Sequence, residues 1–123
     1  MVHILTDLPH NIVGFKAVGE VTENDFKVTV LPNVQKLIDK TDSLNYLLVL
    51  DTSIKNFTAA AWWQDAIMGV KHLTKWKRAA IVSDVEAIRV FTKIFSVLIP
   101  GEFKGFKHEE LQEAIDWVAE KTD

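Results

Sequence analysis

The chain has 123 residues, the size of one ordinary domain, with 48% hydrophobic and 25% charged residues and a formal net charge of −3. That balance excludes a disordered chain and gives the molecule as a whole no attraction for nucleic acid. There are no cysteines, which removes disulfides, thiolate nucleophiles and cysteine-bound zinc together.

The start, Met1-Val2-His3-Ile4-Leu5-Thr6-Asp7, has no basic residues followed by an apolar stretch of roughly 7–15 residues, so no secretory leader is expected. No run approaches the roughly 20 apolar residues of a membrane span; Ile94 to Ile99 contains Ser96 and stops at Pro100-Gly101. The expectation is a cytoplasmic protein, in which the sequon Asn56-Phe57-Thr58 is chance.

His3 to Asp7 reads as a short strand, Leu8-Pro9-His10-Asn11 as a turn, and Ile12 to Val18 as a second strand that closes a hairpin. Thr22 is a good N-cap for the first helix, with Glu23 and Asp25 at its positive end. Phe26, Val30, Val34, Leu37 and Ile38 recur at helical spacing. Pro32 interrupts them, and an interior proline costs about 3 kcal/mol, so a kink or two helical pieces is expected.

Tyr46-Leu47-Leu48-Val49-Leu50 is a continuous apolar run ending at Asp51, the pattern of a strand buried on both faces. Thr58 caps the next helix, where Ala59, Trp62, Trp63, Ala66, Ile67 and Val70 form one stripe. Arg78-Ala79-Ala80-Ile81-Val82 is a second buried-type strand, ending at Ser83-Asp84. The helix from Val85 to Leu98 is apolar over most of its circumference, with a narrow polar ridge at Glu86, Arg89 and Lys93. Pro100-Gly101 ends it, Glu102 to Lys107 reads as the last strand, and Glu109 to Lys121 as a closing helix with Leu111, Ala114, Ile115 and Val118 inward.

The order ββαβαβαβα predicts a single α/β domain over 1–123, a mixed sheet with a parallel core flanked by about four helices. In such sheets ligands bind beyond the carboxyl ends of the strands. A common rim of Asp51, Thr52, Ser53, Thr58, Ser83 and Asp84 is therefore the candidate partner- or ligand-binding site. The plainer alternative is that Asp84 caps a helix while Asp51 and Ser53 stabilise a turn. Trp62, Trp63, Phe91 and Phe95 either fill the core or line an apolar pocket. The basic cluster Lys71, His72, Lys75, Lys77 and Arg78, with Trp76 among it, either complements a helix C-terminus or meets an anionic surface.

Catalytic patterns are missing: no phosphate-cradling P-loop, no GxGxxG, no HExxH, no GxSxG elbow. His3, His10, His72 and His108 show no metal-ligand spacing. Ser53, His72 and Asp84 can be drawn as a triad, as in almost any small protein, and carry no case for hydrolysis. No catalytic residue, metal or cofactor is expected. Four tryptophans and seven phenylalanines exceed the needs of a small core, which puts a homodimer among the expectations.

Several segments in this order resemble the SpoIIAA-like superfamily, the STAS domains of anti-sigma factor antagonists. They are Gly19-Glu20-Val21-Thr22 with Pro32 in the following helix, Leu47-Leu48-Val49-Leu50-Asp51, Arg78 to Asp84, Pro100-Gly101-Glu102-Phe103-Lys104-Gly105-Phe106, and Ala114-Ile115-Asp116-Trp117-Val118. Within the superfamily the chain looks closest to a divergent bacterial branch of stand-alone proteins related to STAS and CRAL-TRIO lipid-binding domains. The resemblance implies a regulatory or protein-interaction module with a partner or nucleotide surface at the strand ends. The Asp-Ser-Ser-Gly-like turn of phospho-regulated members is missing; Asn56-Phe57-Thr58-Ala59-Ala60-Ala61 stands there, with Thr58 the nearest hydroxyl. The CRAL-TRIO side implies instead a carrier or sensor of a small apolar ligand.

Overall fold

The computed structural model describes residues 1–20, 22–51, 76–84, 86, 88–89, 93 and 101–119. Five strands form one sheet in the order β1 (Val2–Ile4), β2 (Val13–Val18), β3 (Leu44–Asp51), β4 (Trp76–Val82) and β5 (Glu102–Phe106). β1 is antiparallel to β2, and every later neighbour is parallel. The mixed sheet with a parallel core is thus the one that the alternation of strand and helix patterns implies.

The hairpin register pairs Val2 with Ala17 and Ile4 with Phe15. Thr22 opens α1 (Glu23–Asp25) by a reciprocal cap. Its N–H donates to Asp25 Oδ2 at 2.9 Å, and the Asp25 N–H donates to Thr22 Oγ1 at 3.3 Å. The expected break at Pro32 is a π-helical turn, Phe26–Val30, after which α2 runs from Leu31 to Thr41 with the proline in its first turn. A proline there needs no N–H partner, and the wider turn before it spares the ring a clash with the preceding carbonyls. The Asn33 amide donates to the Thr29 carbonyl at 2.7 Å, satisfying one carbonyl where the helical pattern changes.

The parallel strands are buried on both faces, which is why they read as continuous apolar runs. One face packs Phe15, Tyr46, Leu48, Leu50 and Ile81 against Val34, Leu37 and Ile38 of α2. The other packs Leu47, Val49, Ala80, Val82 and Phe106 against Ala114 and Val118 of α3 (Leu111–Ala119). Each fully buried Leu, Val or Phe stabilises by roughly 1.5–3 kcal/mol over an exposed one.

Glu86, Ile88, Arg89 and Lys93 are helical; Ile88 packs on the α2 face, and the three charged residues are exposed, as the narrow polar ridge requires. Gly105 makes this approach possible, because a Cβ there would run into the Ile88 side chain. The crossovers carrying α2 and Ile88 thus keep to one face as the strands step across the sheet.

One irregularity in β4 matters. Leu44 pairs with Trp76 but Asn45 pairs with Arg78, so Lys77 is an extra residue in a bulge. The bulge reverses the alternation: Trp76 joins Tyr46 on the α2 face, 5.5 Å between ring centroids, while Arg78 turns to the α3 face. A Cβ on Gly101 would lie 2.7 Å from the Trp76 and Lys77 carbonyls, so only glycine fits beside the bulge.

Three details of the sequence reading are corrected. The first strand is Val2–Ile4 rather than His3 to Asp7, and Asp7 stands at a positive φ of 57° in the turn that follows. A 3-10 turn, His108–Glu110, precedes α3, with Glu110 Oε1 accepting the Lys107 N–H at 2.8 Å. Leu111, the first residue of α3, is 37% exposed rather than inward, because that tight turn and not the apolar stripe sets its direction. Arg78 is not part of a surface basic cluster: it is buried, while Lys77 is exposed. Lys71, His72 and Lys75 lie outside the described residues, as does the stripe from Ala59 to Val70.

Candidate functional site

The rim at the carboxyl ends of β3 and β4 is set by register. Leu47 pairs with Ala80, Leu48 with Ile81 and Val49 with Val82, all in parallel. Two residues further on, the strands deliver Asp51 and Asp84 to the same edge of the sheet, adjacent strands being about 4.8 Å apart. Both acids are exposed. Asp51 Oδ2 lies 3.7 Å from the Lys16 ammonium, contributed by β2, where Val18 pairs with Asp51. The Asp51 and Lys16 side chains are 61% and 44% exposed, so this pair contributes no more than about 1 kcal/mol and can be given up to a partner.

Ser83 sits between β4 and the helix that follows. Its N–H donates to the Phe106 carbonyl at 3.0 Å, which ties the end of β4 to the end of β5. Its side chain is 1% exposed, and Oγ has no hydrogen-bond partner among the described residues. A buried hydroxyl in that condition costs about 1–3 kcal/mol. Asp84 begins the helix, its carbonyl accepting the Ile88 N–H at 3.0 Å. The helix start and the rim are therefore one place, and capping and display are both within reach of Asp84.

Three of the six rim residues read from the sequence, Asp51, Ser83 and Asp84, are thus brought together. Thr52, Ser53 and Thr58 lie outside the described residues, and so do Trp62, Trp63, Phe91 and Phe95 of the apolar pocket. Lys16 was not singled out in the sequence; its position opposite Val49 in a strand of otherwise apolar residues was the available signal.

A second polar group lies at the opposite ends of the same strands. Asn45, Arg78 and Glu102 stand in register across β3, β4 and β5. Arg78 Nε donates to Glu102 Oε2 at 2.9 Å, and Arg78 Nη1 donates to the Trp117 carbonyl at 2.7 Å. The guanidinium lies 4.9 Å from the centre of the Trp117 ring. Asn45 donates to the Asn11 carbonyl at 3.1 Å, and Asn11 donates to the Ala119 carbonyl at 3.0 Å. The Arg78 and Asn11 donors thus tie the Trp117 and Ala119 carbonyls of α3 to the amino ends of the strands.

Among the described residues no group of three or more His, Cys, Asp or Glu side chains is placed to hold a metal ion. Among them, too, no helix is long and apolar enough to cross a membrane.

A mixed sheet with a parallel core, helices on both faces and a charged rim at the carboxyl ends defines an open α/β domain. The chain belongs to the SpoIIAA-like family, whose profile matches residues 12–119. It is similar to the crystal structure of an uncharacterized protein of the DUF3478 family with a SpoIIAA-like fold from Shewanella loihica PV-4. The two are 27% identical, the match covers 96% of this chain and 94% of that one, and the TM-score is 0.69. None of the curated proteins matches the chain.

Proposed function

We propose that this domain is a non-catalytic regulatory or protein-interaction module of STAS type, working without the phosphorylation turn, and that Asp51, Ser83 and Asp84 form its docking rim. The observation that carries this reading is the parallel register of β3 and β4, which brings two exposed carboxylates to one edge beside a buried hydroxyl that has no partner among the described residues. Exposed acids meet a partner without any opening of the fold, and a partner's cationic side chains would replace the weak Lys16 contact. The Ser83 hydroxyl at the same edge has no partner among the described residues, and being buried it meets a partner only if its cover shifts.

The test compares the wild-type chain with Asp51→Lys/Asp84→Lys as bait in an extract of its source organism. Circular dichroism first checks that the two melt alike. The reading expects one stoichiometric partner on the wild type, lost on the double variant and weakened by salt. Recovery of the same proteins by both chains overturns the rim assignment. An apolar small molecule retained in native mass spectrometry, with no protein partner, overturns the interaction module in favour of an apolar-ligand carrier.

A further inference from the structure

β5 is an edge strand: β4 lies on one side of it, and among the described residues no strand lies on the other. The Ser83 N–H donates to the Phe106 carbonyl, so in this parallel ladder the backbone groups of Phe106, Lys104 and Glu102 turn toward β4. Those of Phe103 and Gly105 turn to the outer side. Gly105 is half-buried, and having no side chain it shows only backbone. No described residue engages its N–H or C=O. An outward N–H and C=O at a sheet edge are a template for another strand.

The charges on β5 decide which strand fits. Glu102 and Lys104 are both exposed and, being two residues apart, lie on one face. Lys104 has no carboxylate partner among the described residues; its ammonium lies 5.2 Å from the Phe106 ring. Glu102 accepts from Arg78 through Oε2, and its side chain is still 64% exposed. A second β5 laid antiparallel along the outer edge would form hydrogen-bonded pairs through the outward groups of Phe103 and Gly105. Glu102 and Lys104 then fall at the intervening positions, where facing Cα atoms are only about 4.5 Å apart and side chains are closest. With Phe103 on the two-fold axis, Glu102 of each copy faces Lys104 of the other. The smallest slip that keeps the outward groups facing is two residues. In one direction it sets Glu102 against Glu102, in the other Lys104 against Lys104, and like charges directly opposite are destabilising. At this register the strand is complementary to itself, which is the requirement of an isologous contact.

We propose that β5 pairs antiparallel with β5 of a second copy, joining two five-stranded sheets across a two-fold axis at Phe103, with reciprocal Glu102–Lys104 ion pairs setting the register. β5 has five residues and is about 17 Å long, so the contact falls below the roughly 800 Å² per partner of a standard interface. The association is therefore one that dilution reverses. It uses neither Asp51 nor Asp84, and so stands or falls apart from the docking rim.

Sedimentation velocity of the intact chain at low salt, from about 10 μM to about 1 mM, tests it. The wild type passes from monomer to dimer over that range, and added salt moves the transition to higher concentration. Lys104→Glu sets acid against acid at both pairs and weakens association about tenfold or more. Glu102→Lys sets base against base, and an equimolar mixture of the two variants associates again because each faces its opposite. Where Glu102→Lys does not fold beside Arg78, hydrogen exchange of the wild type takes its place. The Gly105 amide then gains protection as protein concentration rises, and the Ile4 amide at the opposite edge of the sheet does not. A chain that stays monomeric to about 1 mM overturns the inference. So does a dimer that Lys104→Glu leaves intact, a mixture of folded variants that does not associate, or a Gly105 amide indifferent to concentration.

Discussion

At the amino ends of β3, β4 and β5, Asn45, Arg78 and Glu102 stand in one row, and their hydrogen bonds run to Asn11, to each other and to Trp117 of α3. At the carboxyl ends of β3 and β4, Asp51 and Asp84 face solvent, and the Ser83 hydroxyl has no partner among the described residues. The strands are the same; the use of their polar groups is opposite. Polar groups engaged inside the fold hold secondary elements in place, whereas exposed acids at a rim are open to something outside it, and a buried hydroxyl without a described partner is a cost to the fold.

The sharpest way to break the comparison is at Arg78. Arg78→Ala removes a charged hydrogen bond to a backbone carbonyl and the stem packed on Trp117, and is expected to destabilise by about 2–3 kcal/mol in equilibrium urea unfolding. The Glu102 ion pair adds little to that figure, because Glu102 is 64% exposed. An unchanged midpoint would mean that the row is not structural.

Tyr46, beside Trp76 and Phe15 on the α2 face, gives the next largest effect. Burial pushes its phenol well above the ordinary value near 10, since the phenolate would have to leave water. The unfolded chain then loses this proton before the native one does. Stability is complete below about pH 10 and falls above it by about 1.4 kcal/mol per pH unit until the native group ionises. The chain contains one tyrosine, so tyrosinate absorbance reports this group alone, and its ionisation should coincide with unfolding.

Asn45→Ala leaves the Asn11 carbonyl without its side-chain donor and is expected to cost about 1 kcal/mol, read as a lower thermal midpoint. At the other end of the same strand, Asp51→Asn should change stability by no more than about 0.5 kcal/mol. A large loss there would show that the Lys16 pair serves the fold after all.

Much of this arrangement was legible in the sequence because the forces behind it are local or periodic. The unbroken apolar runs Tyr46–Leu50 and Ala79–Val82 mark strands buried on both faces, and acids directly after both runs place Asp51 and Asp84 on a common rim. Thr22 and Pro32 punctuate their helix as their chemistry requires, although a π-helical turn in place of a simple kink is a choice made by the surrounding packing. Arg78 was the instructive miss. Beside Lys75 and Lys77 it reads as a surface base, and only the bulge at Lys77 and a partner 24 residues away turn it inward. Ser83 reads as an ordinary turn residue; its burial depends on the ends of β4 and β5 meeting through the Phe106 carbonyl, a contact with no local signature.

Equilibrium unfolding of Ser83→Ala is the most direct measurement of the division between a structural end and a displayed one. If the hydroxyl is surplus to the fold, deleting it relieves a buried unpaired group, and the midpoint stays level or rises by up to about 1 kcal/mol. A fall of about 1 kcal/mol or more would show that the hydroxyl is already engaged in holding the protein together, and would contradict the account of the rim.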